Sequence, residues 1–291
     1  MKKVLISGAS GQLGSEVLNF VLQKKGSKNV VAMSRDLSKI EQYKAKGVEL
    51  RKADYDDYDS LLKAFEGISK LYFVSGSDVL NREKQHENVV KAAVEAGVEH
   101  VVYTSFQRKD ESGKSPIAMV ASAHIKTEKW LKESGLNYTF MRHALYMDGI
   151  PMFIGNKVLE TGTIYLPAGN GKAAFATRSD MAESGAVVLT TEGHENKSYE
   201  ISGNESVSYH DVASILSTVS GKNITYVSPT PEEFSKVMAD AGVPKEIIGI
   251  LSGFSQSIGA GEFDIPSGDI EKLTGHKPKN LETFLKEIYS K

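Results

Sequence analysis

The chain has 291 residues, with 35 basic and 37 acidic side chains, a net charge of −2 and 40% hydrophobic content. That length suits two domains or one large α/β unit with a real core, and no lysine- or arginine-rich run argues for nucleic acid or an anionic membrane as partner. Cysteine is absent, which excludes disulfides, thiolate catalysis and iron–sulfur ligation and fits a reducing compartment. The start Lys2-Lys3-Val4-Leu5-Ile6 is broken by Ser7-Gly8 within a few residues, too soon for a signal-peptide core. No apolar run reaches bilayer-spanning length, so a soluble, cytoplasmic protein is expected.

The first strand, Val4-Leu5-Ile6, runs into Gly8-Ala9-Ser10-Gly11-Gln12-Leu13-Gly14, and residues 16–22 follow with helical apolar spacing. Strand, glycine turn and helix in that order are the context a dinucleotide fingerprint requires. The first glycine permits a tight turn and the second lets the backbone approach a pyrophosphate. The third lets helix and strand pack closely, with the helix N-terminus aimed at the phosphates. Gly8, Ser10, Gly11, Gln12, Leu13 and Gly14 are therefore candidate cofactor contacts. The spacing is GxxGxxG, which points to the short-chain dehydrogenase lineage.

A second apolar run, Val30-Val31-Ala32-Met33, ends at Ser34-Arg35-Asp36. An Asp or Glu closing this strand would receive the adenosine ribose of NAD. Arg35 suits a 2′-phosphate instead, so NADP(H) is expected over NAD(H). Strand alternation turns Asp36 to the other side, as a cap or a solvated acid, and Lys39 is a second candidate cation.

Further strands are read at 48–51, 71–74, 101–104 and 138–142, separated by helices at 61–65, at 89–93 (closed by Gly97) and through Trp130-Leu131. Continuous apolar strands between amphipathic helices describe a parallel sheet covered on both faces. Right-handed crossovers then put every strand's C-terminal end on one rim. On that rim Asp54 is placed to accept from an adenine amino group or to cap the next helix, with Tyr55 beside it. Ser75, Gly76 and Ser77 form a small-residue turn where riboses would lie, and Thr104 and Ser105 stand at the end of the fifth strand.

After Gly149-Ile150-Pro151 the rhythm breaks. A strand pair is read at 163–165, a helix at 182–189 and a seventh strand at 199–201, and the chain beyond Ser208 reads as mostly helical. Ser228-Pro229-Thr230-Pro231-Glu232 is a helix start. The expected architecture is α/β: a Rossmann-type doubly wound parallel sheet with a smaller, mostly helical C-terminal substrate domain. The cofactor domain is drawn at 1–150 plus about 171–203, and the substrate domain at about 151–170 and 204–291.

Short-chain dehydrogenases place a Tyr and a Lys four residues apart on the helix after the fifth strand, the Lys tuning the phenol for proton exchange. No tyrosine in this chain has a lysine four residues later, and the expected position reads His124-Ile125-Lys126-Thr127-Glu128-Lys129. Alcohol dehydrogenation, epimerisation and dehydration are disfavoured accordingly. His124 reads as a buried, bonded helix residue, with Glu128 orienting it or forming a surface pair. Phe106, Phe153 and Phe263 read as core or as an apolar pocket for a planar ring, and 252–263 as a glycine-bearing mobile loop. The seven histidines show no metal-ligand spacing, so no metal is expected.

GASGQLG, SRD, ADYDD, Val101-Val102-Tyr103-Thr104-Ser105, HIKTEK and Thr274-Gly275-His276-Lys277-Pro278 together resemble the NmrA-like atypical short-chain dehydrogenases. Within that group the chain is similar, over nearly its whole length, to the flavin-free NADPH:quinone oxidoreductases. The resemblance implies NADPH held by the glycine turn and Arg35, no flavin, and direct hydride transfer to a quinone or similar electron-poor aromatic entering between the two domains. A dye acceptor would use the same chemistry. One loop departs from the pattern: Arg-Asn-Gly-Trp-Tyr is replaced by Arg142-His143-Ala144-Leu145-Tyr146. A hydroquinone anion is far less basic than an alkoxide, so a weak donor suffices, and His143 and Tyr146 are the candidates. The alternative is an NADP(H)-binding redox sensor with little turnover, as found elsewhere in the NmrA-like group. A homodimer is an open expectation.

Overall fold

The computed structural model describes residues 2–290. The chain opens with β1 (Lys3–Ile6), α1 (Gln12–Lys25) and β2 (Val30–Ser34), then a 3-10 run over Leu37–Lys46 ahead of β3 (Glu49–Lys52). The alternation continues through α2 (Tyr58–Phe65), β4 (Ile68–Phe73), α3 (Arg82–Glu95), β5 (His100–Phe106), α4 (Ala118–Glu133) and β6 (Asn137–His143). A 3-10 turn (Met147–Gly149), α5 (Ile150–Ile154), α6 (Val158–Thr161), β7 (Thr163–Tyr165) and β8 (Lys172–Ala173) follow. The chain then returns to the sheet with α7 (Arg178–Thr190) and β9 (Lys197–Ile201). It ends through β10 (Val207–Ser208), α8 (Tyr209–Ser220), β11 (Thr225–Val227), α9 (Pro231–Asp240), α10 (Lys245–Gly259), α11 (Asp269–Thr274) and α12 (Leu281–Tyr289). Among the described residues no helix is long and apolar enough to cross a membrane.

Seven strands form one sheet in the order β3-β2-β1-β4-β5-β6-β9, every pairing parallel. Strand periodicity divides their apolar side chains between two cores. Val4, Ile6, Val30, Ala32, Tyr72, Val102 and Met141 face α1 and α7. Leu5, Val31, Met33, Leu71, Phe73, Val101, Tyr103 and Phe140 face α2, α3 and α4. Both faces are dry, which is why the strands read as unbroken apolar runs. Strand order reverses between β1 and β4, and the crevice outside their carboxyl ends is the ligand position of a doubly wound sheet.

A third core gathers Met147, Ile150, Ile164, Phe175, Tyr209, Leu216, Phe234, Leu251, Phe263 and Leu285. It is the smaller, mostly helical part. α11 leaves it to pack on α7 and β9, with Ile270 in the α1-side core.

Two expectations change. The stretch 252–263 is no loop over most of its length: residues through Gly259 belong to α10, where Ile248, Leu251, Ser255 and Ile258 recur on one buried face. That apolar period outweighs the cost of Gly249 and Gly253, about 1 kcal/mol each in a helix. The strand at 163–165 has a remote partner, β11, running parallel, rather than a local hairpin mate. Residues 37–46, entered by Asp36 as the expected cap, form a 3-10 run whose buried Ile40 and Tyr43 recur at the three-residue spacing of that helix.

Candidate active site

The glycine turn follows from backbone geometry. Gly8 has φ +60, a left-handed value that favours glycine, and a Cβ there would press on Val74 at 3.2 Å. A Cβ on Gly14 would lie 2.3 Å from the Gly8 carbonyl oxygen, so only glycine lets α1 sit this close to the turn. Gly11 is the N-cap of α1, and no side chain caps that helix. Its N-terminus therefore opens, bare, onto a cleft lined by Gly8, Ser10, Gly11, Gln12, Leu13 and Gly14.

The same cleft collects the ends of the next strands. Arg35, exposed just past β2, lines it with Met33 and Ser34. Asp36 turns away to cap the 3-10 run, accepting from the Ser38 amide at 3.0 Å, and those Ser38 bonds hold its carboxyl below the usual range. Asp54 and Tyr55 contribute from β3, and Ser75, Gly76 and Ser77 from β4. The cap of α2 falls to Asp57, which accepts from Ser60 at 3.1 Å, while Asp54 receives the Asp56 amide at 3.1 Å. The Tyr55 hydroxyl donates to the Val74 carbonyl at 2.8 Å and lies 2.6 Å from Ser7 Oγ, which accepts from the Val74 amide. Burial pushes that phenol well up, so it acts as a staple between β1 and β4.

Thr104 and Ser105 are both buried and do not line the cleft. Thr104 Oγ1 accepts from the Ser75 amide at 2.8 Å, holding the turn from beneath. Ser105 Oγ donates to Glu128 Oε1 at 2.6 Å. Glu128 is neither a surface pair nor the partner of His124: it is buried and receives Arg108 at 2.9 Å and Arg142 at 2.8 Å on Oε2. Desolvation alone would raise its pKa, but the bonds from the two arginines prevail and hold it at about 2.

A polar cluster that sequence reading missed braces the turn after β4. The Gly76 amide donates to His86 Nε2 at 2.9 Å, and the Gly76 carbonyl accepts from Arg82 Nε at 2.6 Å. His86 Nδ1 lies 2.9 Å from Thr127 Oγ1 and must carry the ring proton, since Nε2 accepts. His124 joins the cluster, 2.7 Å from the Tyr103 hydroxyl and 3.4 Å from Arg82. Burial keeps both imidazoles neutral, lowering His86 to about 3. Gln85, beside them on α3, also lines the cleft.

His143 and Tyr146 adjoin one another edge-on, ring centroids 6.3 Å apart, and neither lines the cleft. His143 is buried, both its ring nitrogens lack a hydrogen-bond partner among the described residues, and burial lowers its pKa to about 3. Tyr146 is half-buried with the Arg178 guanidinium 4.8 Å over its ring, and burial lifts its phenol to about 12. Phe106, at the end of β5, stacks on His124 and meets Phe263 edge-on at 5.5 Å. Phe153 reaches the group only through Phe254 of α10, the shared neighbour of all three expected phenylalanines. The periodicity of α10 is the signal that would have placed Phe254. Among the described residues no group of three or more His, Asp or Glu could hold a metal ion.

These residues fit a dinucleotide: a bare helix N-terminus for a pyrophosphate, an unhindered glycine backbone, and a guanidinium at the ribose position. Residues 1–286 match the NmrA-like family. Quinone oxidoreductase 2 of Escherichia coli (strain K12) is 33% identical over 287 residues, 99% of both chains. The crystal structure of an NADPH-dependent quinone oxidoreductase from Escherichia coli complexed with NADPH, 33% identical, superposes with a TM-score of 0.92 over 99% of this chain and 100% of that one. The Citrobacter sp. triphenylmethane reductase complexed with NADP(H) is 36% identical, with a TM-score of 0.90 over 98% of this chain and 99% of that one.

Proposed function

The chain belongs to the NmrA-like family, and from that premise we propose that it is an oxidoreductase passing hydride from NADPH directly to a quinone or similar electron-poor aromatic. The observation that carries the reading is one cleft, at the β1/β4 reversal, holding both the bare N-terminus of α1 and Arg35. The full-length likeness to a quinone oxidoreductase and to a triphenylmethane reductase supports the acceptor class.

Bound NADPH supplies the hydride. The glycine turn and the first amides of α1 take the pyrophosphate, and Arg35 takes the 2′-phosphate. Thr104, His86 and Arg82 hold the Ser75-Gly76 turn in place by bonds to its backbone. Residues 1–150 with about 171–203 form the cofactor part in this reading, the remainder shaping the substrate side. Phe106, Phe254 and Phe153 offer partly exposed rings to a planar acceptor. Catalysis rests mainly on positioning, because the product is a phenolate that needs only a weak donor. In this reading Tyr146, whose phenol burial keeps protonated at neutral pH, donates a hydrogen bond to the developing phenolate, which takes its proton from solvent. His143, neutral and buried, is a core residue behind the site rather than its acid.

NADPH oxidation followed by near-UV absorbance, with and without a simple benzoquinone, tests the assignment. Quinone-dependent loss, much slower with NADH, is expected. Tyr146→Phe should lower kcat about tenfold and leave NADPH binding unchanged. An unchanged kcat removes Tyr146 as donor. Tight NADPH binding without turnover on any acceptor would replace the reductase with a redox sensor.

A further inference from the structure

Gln85 sits in the first turn of α3, 5% exposed, yet lines the cofactor cleft. Its Nε2 donates to Asp56 Oδ2 at 2.9 Å. An ionised carboxylate only accepts, so this bond fixes the carboxamide's orientation and turns Oε1 the other way. Oε1 hangs over the Gly76 backbone, 2.8 Å from where a Cβ on that glycine would stand. Among the described residues no hydrogen bond is given to Oε1, and the residue lines the cleft. The next turn of α3 secures the same wall, Asn88 Nδ2 donating to the Tyr55 carbonyl at 2.9 Å. A carbonyl acceptor on the cleft wall, held in direction by Asp56 and left without a protein donor among the described residues, marks a place where a ligand supplies one.

The position along the cleft says which part of the ligand. With the pyrophosphate at the glycine turn and the ribose at Arg35, the wall left for the base comprises Asp54, Tyr55, Gly76 and Gln85. We propose that Gln85 reads the base of the cofactor, its fixed carbonyl oxygen accepting from the 6-amino group of adenine and rejecting 6-oxo purines. Asp56 is the positioning residue that aims it. This assignment rests on the dinucleotide reading above, and adds base selectivity to the phosphate selectivity of Arg35.

The test is calorimetric titration with NADP+ and with nicotinamide hypoxanthine dinucleotide phosphate, which differs only in carrying a 6-oxo base. The unmodified protein should bind the adenine form about tenfold tighter, because the 6-oxo group sets acceptor against acceptor. Gln85→Met should bring the two affinities within about twofold of each other. Asp56→Ala, a change at an exposed residue, frees the carboxamide to rotate and should lower the preference about threefold with Gln85 still present. That second variant carries the test if Gln85→Met does not fold. Arg35→Ala should leave the adenine preference as it was. Equal affinity of the unmodified protein for the two dinucleotides overturns the assignment, as does a Gln85→Met protein that weakens both while keeping their ratio. Failure to bind either dinucleotide overturns the cofactor reading beneath it instead.

Discussion

Arg35 is one residue past β2, exposed, on the wall of the cleft that the glycine turn opens. A charge-assisted bond to a 2′-phosphate contributes roughly 1.5–3 kcal/mol, about one to two powers of ten in affinity. Arg35→Ala should therefore weaken NADPH by that factor and NADH by no more than about twofold, read by titration calorimetry. Equal loss for both would reduce Arg35 to a surface charge. Arg35 and the glycines were legible in the sequence because their roles are local: a turn, a helix end and the first position after a strand. Arg82, Gln85 and His86 were not, because each is buried against partners from distant segments, such as the Gly76 backbone, Asp56 and Thr127. One trace was available. Residues 82–88 are polar throughout, yet they open a helix whose later turn carries Val89 and Val90 into the core. A polar run on a helix that packs against a sheet signals buried partners waiting in the loops it covers.

At the level of elements, legibility followed burial. The sheet strands lie between two layers of helices, so each wrote itself as an unbroken apolar run between glycine and charged punctuation. The seventh strand, Lys197–Ile201, is exposed at one end and was visible only through Tyr199-Glu200-Ile201. β7 and β11 could be seen as extended at most, since their pairing joins segments some sixty residues apart and carries no local turn signal. α10 was obscured for a different reason. Glycines 253 and 259 punctuate its second half, and reading 252–263 as a loop ignored the buried spacing of Ile248, Leu251, Ser255 and Ile258. That misreading mattered for the site, because α10 brings Phe254 to Phe106 and Phe153. This aromatic group is thus a product of helix packing and could not be assembled from the three expected phenylalanines alone.

Across the whole molecule, a polar path runs from the sheet to the helical part, and Glu128 anchors its sheet end. It ties α4 to β5 through Ser105, to the following segment through Arg108, and to β6 through Arg142. Arg142 continues to Glu200 on β9 at 3.5 Å, and Gln107 spans from Glu200 to the Ile265 carbonyl. Glu262 closes the path by accepting both the Lys109 and Asp110 amides. The Glu128 side chain is only 4% exposed, so removing its charge strands two arginines and should cost about 3 kcal/mol, the scale for breaking a buried pair. The pH dependence has a definite sign. Glu128 is held at about 2 in the folded protein, below the ordinary 4.5, so the folded state favours its charged form. Its contribution is present above about pH 4.5 and fades as the pH falls through about 2, a span corresponding to about 3 kcal/mol. Glu128→Gln should accordingly lower the urea midpoint by a constant amount from pH 8 to 5, and the gap to the unmodified protein should close as the pH drops below about 4.5. A gap that stays undiminished down to pH 3 would mean that Glu128 stabilises the fold by packing and shape rather than by its charge.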